Sequence, residues 1–203
     1  MRALKKKLKH LLSPKYAYLK RFKVVANDVV IDLGANVGEV CEYFIPKRAI
    51  IHAYEPNPYA FELLKKRVGK YENIKLIPAA VSNYNGTSSL FLHKNHNEGE
   101  VHFSQASSLQ AEKNNVSADG VEVEVQDIKD VLSRADHIKL IKIDIEGGEY
   151  DIMDEILAQG DKIDYILLET HEKKNEAFAQ RHAALINAIE ASPHKHKIFM
   201  DWF

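Results

Sequence analysis

The chain has 203 residues, 45% of them hydrophobic, and a formal net charge of −1. That is enough apolar material for one sizeable core, so a single domain is expected, and bulk charge does not make it a polyanion binder. The single cysteine, Cys41, excludes a disulfide framework and a cysteine-based zinc site, and no apolar run approaches the ~18 residues a membrane span needs.

The charge is unevenly spread. Residues 1–23 hold nine of the 28 Lys and Arg residues and no acid, which leaves 19 basic against 29 acidic residues beyond them. Leu4, Leu8, Leu11 and Leu12 recur at helical spacing among lysines, a basic amphipathic helix that should end near Ser13-Pro14. Residues 1–22 are therefore expected to form an N-terminal helix and residues 23–203 one α/β domain. The helix is expected to lay its leucines on that domain. Contact of residues 1–23 with an anionic membrane surface or a polyanionic substrate stays open as a second reading. The N-terminus lacks the continuous apolar core of a secretory signal, and a lone thiol suits a reducing compartment, so a cytoplasmic location is expected.

Val29–Leu33 is an apolar, β-branched run with one acid, as expected of a strand covered on both faces. Gly34 and Gly38 permit a tight turn, and Asn36 is placed to cap a helix from about Val37 to Phe44, stopped by Pro46. Cys41 falls on the core face of that helix and is read as a buried structural thiol. Ala49–Glu55 is a second buried strand. Asn57-Pro58 opens a helix that runs to Gly69, with proline at its favoured first position. Ile74–Val81 is a third strand. Strand, helix, strand, helix, strand at short spacing is the pattern of a parallel, doubly wound, Rossmann-like sheet with helices on both faces.

The pattern then changes. Asn85-Gly86 is a hairpin signal, and Ser88–Leu92 reads as the strand beyond it. Residues 93–120 are polar and form a long loop of the kind that is usually functional. Val121–Val125 alternates apolar and acidic residues and reads as an edge strand or hairpin arm, so an inserted hairpin and loop occupy about 83–126. Parallel order resumes with Ile138–Ile145 and a helix from Glu149 through Leu157, capped by Gly160. Ile163–Glu169 is the next strand, Asn175 to Ala191 a helix, and Lys197–Phe203 a final strand.

A strand, a glycine loop and a helix N-terminus together suit a ligand with polar or anionic groups. Glu55 lies 21 residues after Gly34, at the end of the second strand, where a carboxylate can accept both hydroxyls of a ribose. Dinucleotides and S-adenosylmethionine both fit that far. A dinucleotide fingerprint wants glycine at the positions of Gly34, Asn36 and Glu39, and here the third would set a carboxylate against the pyrophosphate. S-adenosylmethionine carries a sulfonium and an amino group instead, which Asp32 and Glu39 favour. Asp32 either touches the cofactor or holds the loop by hydrogen bonds.

Asp32-Leu-Gly-Ala-Asn-Val-Gly38, Tyr54-Glu-Pro-Asn-Pro58, Ala79-Ala-Val-Ser82 followed by Asn85-Gly86, and above all Lys142-Ile-Asp-Ile-Glu-Gly-Gly-Glu149 resemble the FkbM family of class I S-adenosylmethionine-dependent methyltransferases. The resemblance runs from about Asn27 to Glu169. It implies O-methylation of a hydroxyl on a small molecule or sugar. It implies that Asp32, Gly34, Ala35, Asn36 and Gly38 line the methionine portion of the cofactor, that Glu55 binds the ribose, and that Ala80, Val81 and Ser82 lie beside the adenine. Asp144 and Glu146 would stand near the methyl group. The family also implies a further antiparallel strand after the sixth; here Trp202-Phe203 would end the sheet on an open edge suited to a second subunit, a homodimer.

By the strand map, Asp144, Glu146, Glu169 and His171 converge as candidate catalytic residues at the carboxyl ends of the parallel strands. Asp144 ends an apolar strand, and desolvation should raise its pKa toward useful base strength; His171 is the other natural base. Glu149 is assigned to the helix dipole. Asp144, Glu169 and His171 could also hold a divalent ion, although their spacing does not demand one. His93, His96 and His102 are read as solvated; Ser104–Ser108 is similar to a serine-containing stretch of the family, and closure over substrate and a loop without contact both stay open for it. Three other readings remain beside O-methyl transfer: a nucleic-acid methyltransferase, a non-catalytic cofactor-binding module of the same fold, and, more remotely, a NAD-dependent oxidoreductase. The Asn/Asp-Pro-Pro-Tyr/Phe motif of base methylation is absent, and the acidic body opposes phosphate binding.

Overall fold

The computed structural model describes residues 13–93, 116–171 and 177–201. The expected helix of residues 1–12, the loop residues 94–115 with His96, His102 and Ser104–Ser108, and Trp202-Phe203 lie outside the described residues. The chain runs α1 (Pro14–Leu19), β1 (Val29–Leu33), α2 (Glu39–Phe44), β2 (Ile50–Tyr54), α3 (Pro58–Val68), β3 (Ile74–Ile77) and β4 (Ala79–Ser82). It continues through β5 (Gly86–His93), β6 (Val116–Asp127), α4 (Ile128–Ser133), β7 (Ile138–Ile143), α5 (Glu149–Ala158), β8 (Ile163–Leu168), α6 (Ala177–Ala191) and β9 (Ile198–Phe199).

Six strands form one parallel sheet in the order β3-β2-β1-β7-β8-β9. Chain order runs outward in one direction from β1 and in the other from β7. The switch point therefore lies between these two strands, where an open α/β sheet leaves a crevice at its carboxyl ends. Alternation along each strand divides the core. Ile31, Leu33, Ile141 and Ile143 face α4, α5 and α6, with Ile152, Met153, Ile156, Leu185 and Ile189 packed on them. Val30, Ile51, Leu140 and Leu167 face the opposite layer, with Val40, Phe44, Leu64 and Val68. Leu19 and Phe22 belong to this second layer, and Phe22 meets Tyr165 and Phe199 edge-on at 5.1 and 5.0 Å. Arg21 pairs with Asp201 at 2.8 Å, so the segment after α1 fastens the last described residues beside β9.

Several expectations change. The single strand Ile74–Val81 is two: Pro78 has no N–H to give a ladder, and the chain passes there from the large sheet into a small one ordered β4-β6-β5. Val121–Val125 lies within the 12-residue β6, which is an arm of the expected hairpin, antiparallel to β5, but is the central strand of the small sheet and not an edge. Its alternation was a true sign of one wet face, with Val123 and Val125 buried and Glu122 and Glu124 out, but a wet face does not make an edge. Asn85-Gly86 does not join β4 to β5 as paired arms, because β6 lies between them. Asn85 instead ties the turn to the start of α4, accepting from the Asp127 N–H at 2.8 Å and donating to Asp130 at 2.6 Å. The final strand is two residues long, Ile198–Phe199, and helix α4 was not foreseen.

Candidate active site

The carboxyl ends of β1, β2, β7 and β8 are laced together by backbone bonds one residue beyond the strands. The N–H groups of Gly34 and Ala35 both donate to the Tyr54 carbonyl, at 3.0 and 2.9 Å. The Asp144 N–H donates to Leu33 at 3.2 Å, Glu169 to Ile143 at 2.9 Å, and Glu55 to Ile77 at 3.1 Å. Gly34, Glu55, Asp144 and Glu169 thereby share one rim.

The glycines act on the protein's own packing. Gly34 has φ +75°, and a Cβ there would lie 1.9 Å from the Asp144 carbonyl oxygen, so the loop and β7 could not stay in contact. Gly38, at φ +83°, opens α2, and a Cβ would lie 2.6 Å from Leu64 Cδ1. Asn36 is not the helix cap: the cap residue is Gly38, and no side chain caps α2. Asn36 takes a left-handed backbone, φ 48°, and its N–H donates to Glu55 Oε2 at 2.8 Å. Asn57 does cap α3, accepting from the Tyr59 and Ala60 N–H groups at 3.0 and 3.4 Å.

Glu55 is the joint between β2 and the loop. Its Oε1 accepts from the Asn57 N–H and its Oε2 from the Asn36 N–H, both at 2.8 Å. Burial pushes its pKa up to about 7, against the pull of those two N–H groups. Each oxygen still has a lone pair to offer.

Asp32 is fully buried on the α2 side, where the Cys41 thiol donates to its Oδ2 at 3.2 Å. Lys142 stands beside it in register on β7, 3.4 Å from Oδ1, and donates to the carbonyls of Gly34 (2.5 Å) and Leu33 (3.3 Å). The same ammonium is 3.2 Å from Asp144 Oδ2. Burial works against the charge on Lys142, but Asp144 and Asp32 outweigh it and hold its pKa above the ordinary value. The expectation for Asp144 is corrected for the same reason. Burial raises its carboxyl, as foreseen, but Lys142 and then His171 more than reverse this, and the pKa falls below the usual range.

Past Asp144 the site becomes a cluster around His171, itself only 3% exposed. Its Nε2 lies 3.7 Å from Asp144 Oδ1, 3.6 Å from Glu146 Oε2 and 3.8 Å from Glu169 Oε1. Its Nδ1 lies 3.1 Å from Glu149 Oε1, an acceptor, which assigns the proton to Nδ1. Glu149 is fully buried. Its Oε1 also accepts from the His171 N–H at 3.1 Å, and its Oε2 from the Gly147 N–H at 2.8 Å. Glu169 is pushed up to about 7 by burial and then by repulsion from Asp144.

The structure thus brings together Asp32, Gly34, Ala35, Asn36, Gly38, Glu55 and Asp144, and next to them Glu146, Glu169 and His171. Lys15, reaching over from α1 to within 3.3 Å of Glu39, joins the lining of the open cleft between the loop and Asp144. Ala80, Val81 and Ser82 sit buried in β4 instead: Val81 packs in the main core, and Ala80 against Leu90, Val123 and Val125. Sequence reasoning gave no role to Lys142; for Glu149 it gave the helix dipole, which its place in the first turn of α5 fits, but not the bond to His171. A signal existed for Lys142, since a lysine inside an otherwise apolar, doubly covered strand must be paired. None existed for Glu149, whose partner His171 is 22 residues away.

Among curated proteins the chain is similar to the 2-O-methyltransferase NoeI of Sinorhizobium fredii (strain NBRC 101917 / NGR234), 28% identical over 137 residues, 62% of this chain and 56% of that one. The chain spans little more than half the length of this curated relative. Among solved structures it is similar to precorrin-6y C5,15-methyltransferase from Geobacter metallireducens GS-15, at 13% identity over 87% of this chain and 68% of that one, with a TM-score of 0.41. A SAM-dependent methyltransferase from Thiobacillus denitrificans in complex with S-adenosyl-L-homocysteine is similar at 19% identity over 34% of this chain and 36% of that one, with a TM-score of 0.29. The family model described as the methyltransferase FkbM domain matches residues 32–196, from Asp32 in β1 to beyond α6, and the chain belongs to that family.

Proposed function

We propose that the chain is an S-adenosylmethionine-dependent O-methyltransferase that methylates a hydroxyl on a small molecule or sugar. The observation that carries this reading is the position of Asp144. One of its oxygens lies 3.2 Å from Lys142, which itself holds the glycine loop, and the other faces His171 at 3.7 Å, so a cofactor-binding rim and a proton-accepting cluster share one side chain. Membership of the methyltransferase family supports the reaction, and the relative named a 2-O-methyltransferase supports oxygen as the acceptor atom.

S-adenosylmethionine supplies a methyl group on a sulfonium, and the chain must bring a hydroxyl oxygen into line with it and take away the hydroxyl proton. Asp32, Gly34, Ala35, Asn36 and Gly38 are the residues for the methionine portion. Glu55 suits the ribose, because a carboxylate with spare lone pairs at a strand end accepts two hydroxyls. Ala80, Val81 and Ser82 remain the candidates beside the adenine. The proton leaves toward Asp144, Glu146, Glu169 and His171. The buried lone thiol fits a reducing cytoplasm. No helix among the described residues is long and apolar enough to cross a membrane.

A screen of small-molecule and glycan acceptors with methyl-labelled S-adenosylmethionine tests the reaction. Label carried by an ether oxygen supports it. Label found only on nitrogen or carbon of the acceptors would replace it with another class of transfer.

A further inference from the structure

Four carboxylates converge on one buried imidazole. Asp144, Glu146 and Glu169 approach Nε2 at 3.6 to 3.8 Å, and Glu149 holds Nδ1 at 3.1 Å. The three outer distances are longer than hydrogen bonds. They match the separation of two donors that share one ion: ligands about 2.1 Å from a metal stand roughly 3 to 4 Å apart. One oxygen each from Asp144 and Glu169 and a ring nitrogen of His171 all lie within 4.8 Å of one another.

The surroundings favour an ion over three chance neighbours. Lys142 meets Asp144 at Oδ2, and Oδ1 is the oxygen that faces His171. Among the described residues Lys142 is the one buried lysine beside these four acids, and it also serves Asp32, so the cluster carries an excess of negative charge that a divalent cation would balance. Glu149 makes the carboxylate-to-imidazole bond that commonly orients a metal-ligating histidine. Three of its own bonds, to the His171 N–H, the His171 ring and the Gly147 N–H, fix it in turn.

We infer that Asp144, Glu169 and His171 bind a divalent cation at the carboxyl ends of β7 and β8, with Glu149 as the positioning residue behind His171. Two carboxylates and one imidazole are a hard-to-borderline donor set, suited to Mn²⁺ and Mg²⁺ and tolerant of Zn²⁺. The inference rests on the methyltransferase reading only for what the ion does there, which is to act as a Lewis acid toward the acceptor hydroxyl; with His171 Nε2 on the ion, the proton goes to Glu146, which lies outside the ligand set. Binding itself does not depend on that reading.

The test is titration of the full chain, stripped with chelator, with Mn²⁺ followed by electron paramagnetic resonance, alongside calorimetric binding of S-adenosylmethionine. One Mn²⁺ per chain is expected, displaced competitively by Mg²⁺ or Zn²⁺. Glu169→Gln, at a partly exposed carboxyl, should weaken Mn²⁺ at least about tenfold, and Glu149→Gln about 10- to 100-fold, while S-adenosylmethionine still binds. His171→Gln should abolish Mn²⁺ binding; if that buried change unfolds the chain, Glu169→Gln decides alone. Asp164→Asn, outside the cluster, should leave the affinity unchanged. A chain that binds S-adenosylmethionine but none of the three ions, or a Glu169→Gln chain with unaltered Mn²⁺ affinity, would overturn the inference and leave the methyltransferase reading standing. Ion binding without cofactor binding would have the opposite meaning.

Discussion

Lys142 lies directly across from Asp32 in the β1–β7 register, with its ammonium 3.4 Å from the carboxylate and both side chains buried. Each offsets part of the other's buried charge, Asp144 sharing the lysine and Cys41 the carboxylate. The lysine also donates to the Leu33 and Gly34 carbonyls, so one cation holds the glycine loop, the strand end and Asp144 in a fixed relation. Lys142→Met leaves Asp32 buried and uncompensated and should cost about 3–5 kcal/mol of stability, read from urea unfolding. The double variant with Asp32→Asn should recover part of that loss, because the pair is coupled. Additive losses would mean that the two side chains do not interact.

Gly34→Ala and Gly38→Ala separate the two glycines. Both have left-handed backbones, which alone cost a non-glycine residue about 1–3 kcal/mol. At Gly34 the new methyl also meets backbone, the Asp144 carbonyl, whereas at Gly38 it meets the far end of the Leu64 side chain, which can turn away. Gly34→Ala should therefore be the more destabilising in thermal unfolding, and should abolish cofactor binding. Equal effects would place the constraint in the backbone angle alone.

Glu55 makes two pH dependences run in opposite senses. Its pKa in the fold, about 7, lies above its ordinary 4.5. The folded chain thus holds the proton more tightly, and the stability this group contributes is full below pH 4.5 and lost as pH rises toward 7. The ionised carboxylate is the form that accepts ribose hydroxyls, so affinity for S-adenosylmethionine should rise over the same interval. Calorimetric titrations across that range should show the rise in the natural chain and not in Glu55→Gln. A rise that persists in Glu55→Gln would assign it to another group.

Cys41 should not react with thiol reagents while the chain is folded. It is fully buried, and burial together with the neighbouring Asp32 raises its pKa well above the ordinary thiol value. Iodoacetamide labelling followed by mass spectrometry should report modification only at denaturant concentrations that unfold the chain. Labelling at native rates typical of exposed thiols would contradict the packing of α2 against β1.

The glycine loop, Glu55 and the Asp144 segment were legible because local features announce them: a buried strand that breaks at glycine, an acid at a strand end, a charge at the edge of an apolar run. The split of the third strand was not read at Pro78, although a proline that cannot join a ladder was there to see. Asn85-Gly86 has the local chemistry of a hairpin, but its partner strand was chosen by long-range packing with β6. The sign of the Asp144 shift depended on Lys142, two residues along the same strand, whose effect required knowing that both point into one buried cluster. Glu149 looked like a helix-dipole residue and is a partner for His171, a relation that only the fold creates.

The central claim is that the rim formed by β1, β2 and β7 binds S-adenosylmethionine through Glu55 and the glycine loop. Isothermal titration of the full chain with S-adenosylmethionine and, separately, with NAD tests it most directly. One equivalent of S-adenosylmethionine should bind, with affinity reduced in Glu55→Gln and lost in Gly34→Ala, while NAD gives no heat of binding. Binding of NAD alone, or S-adenosylmethionine binding that is indifferent to both substitutions, would contradict it.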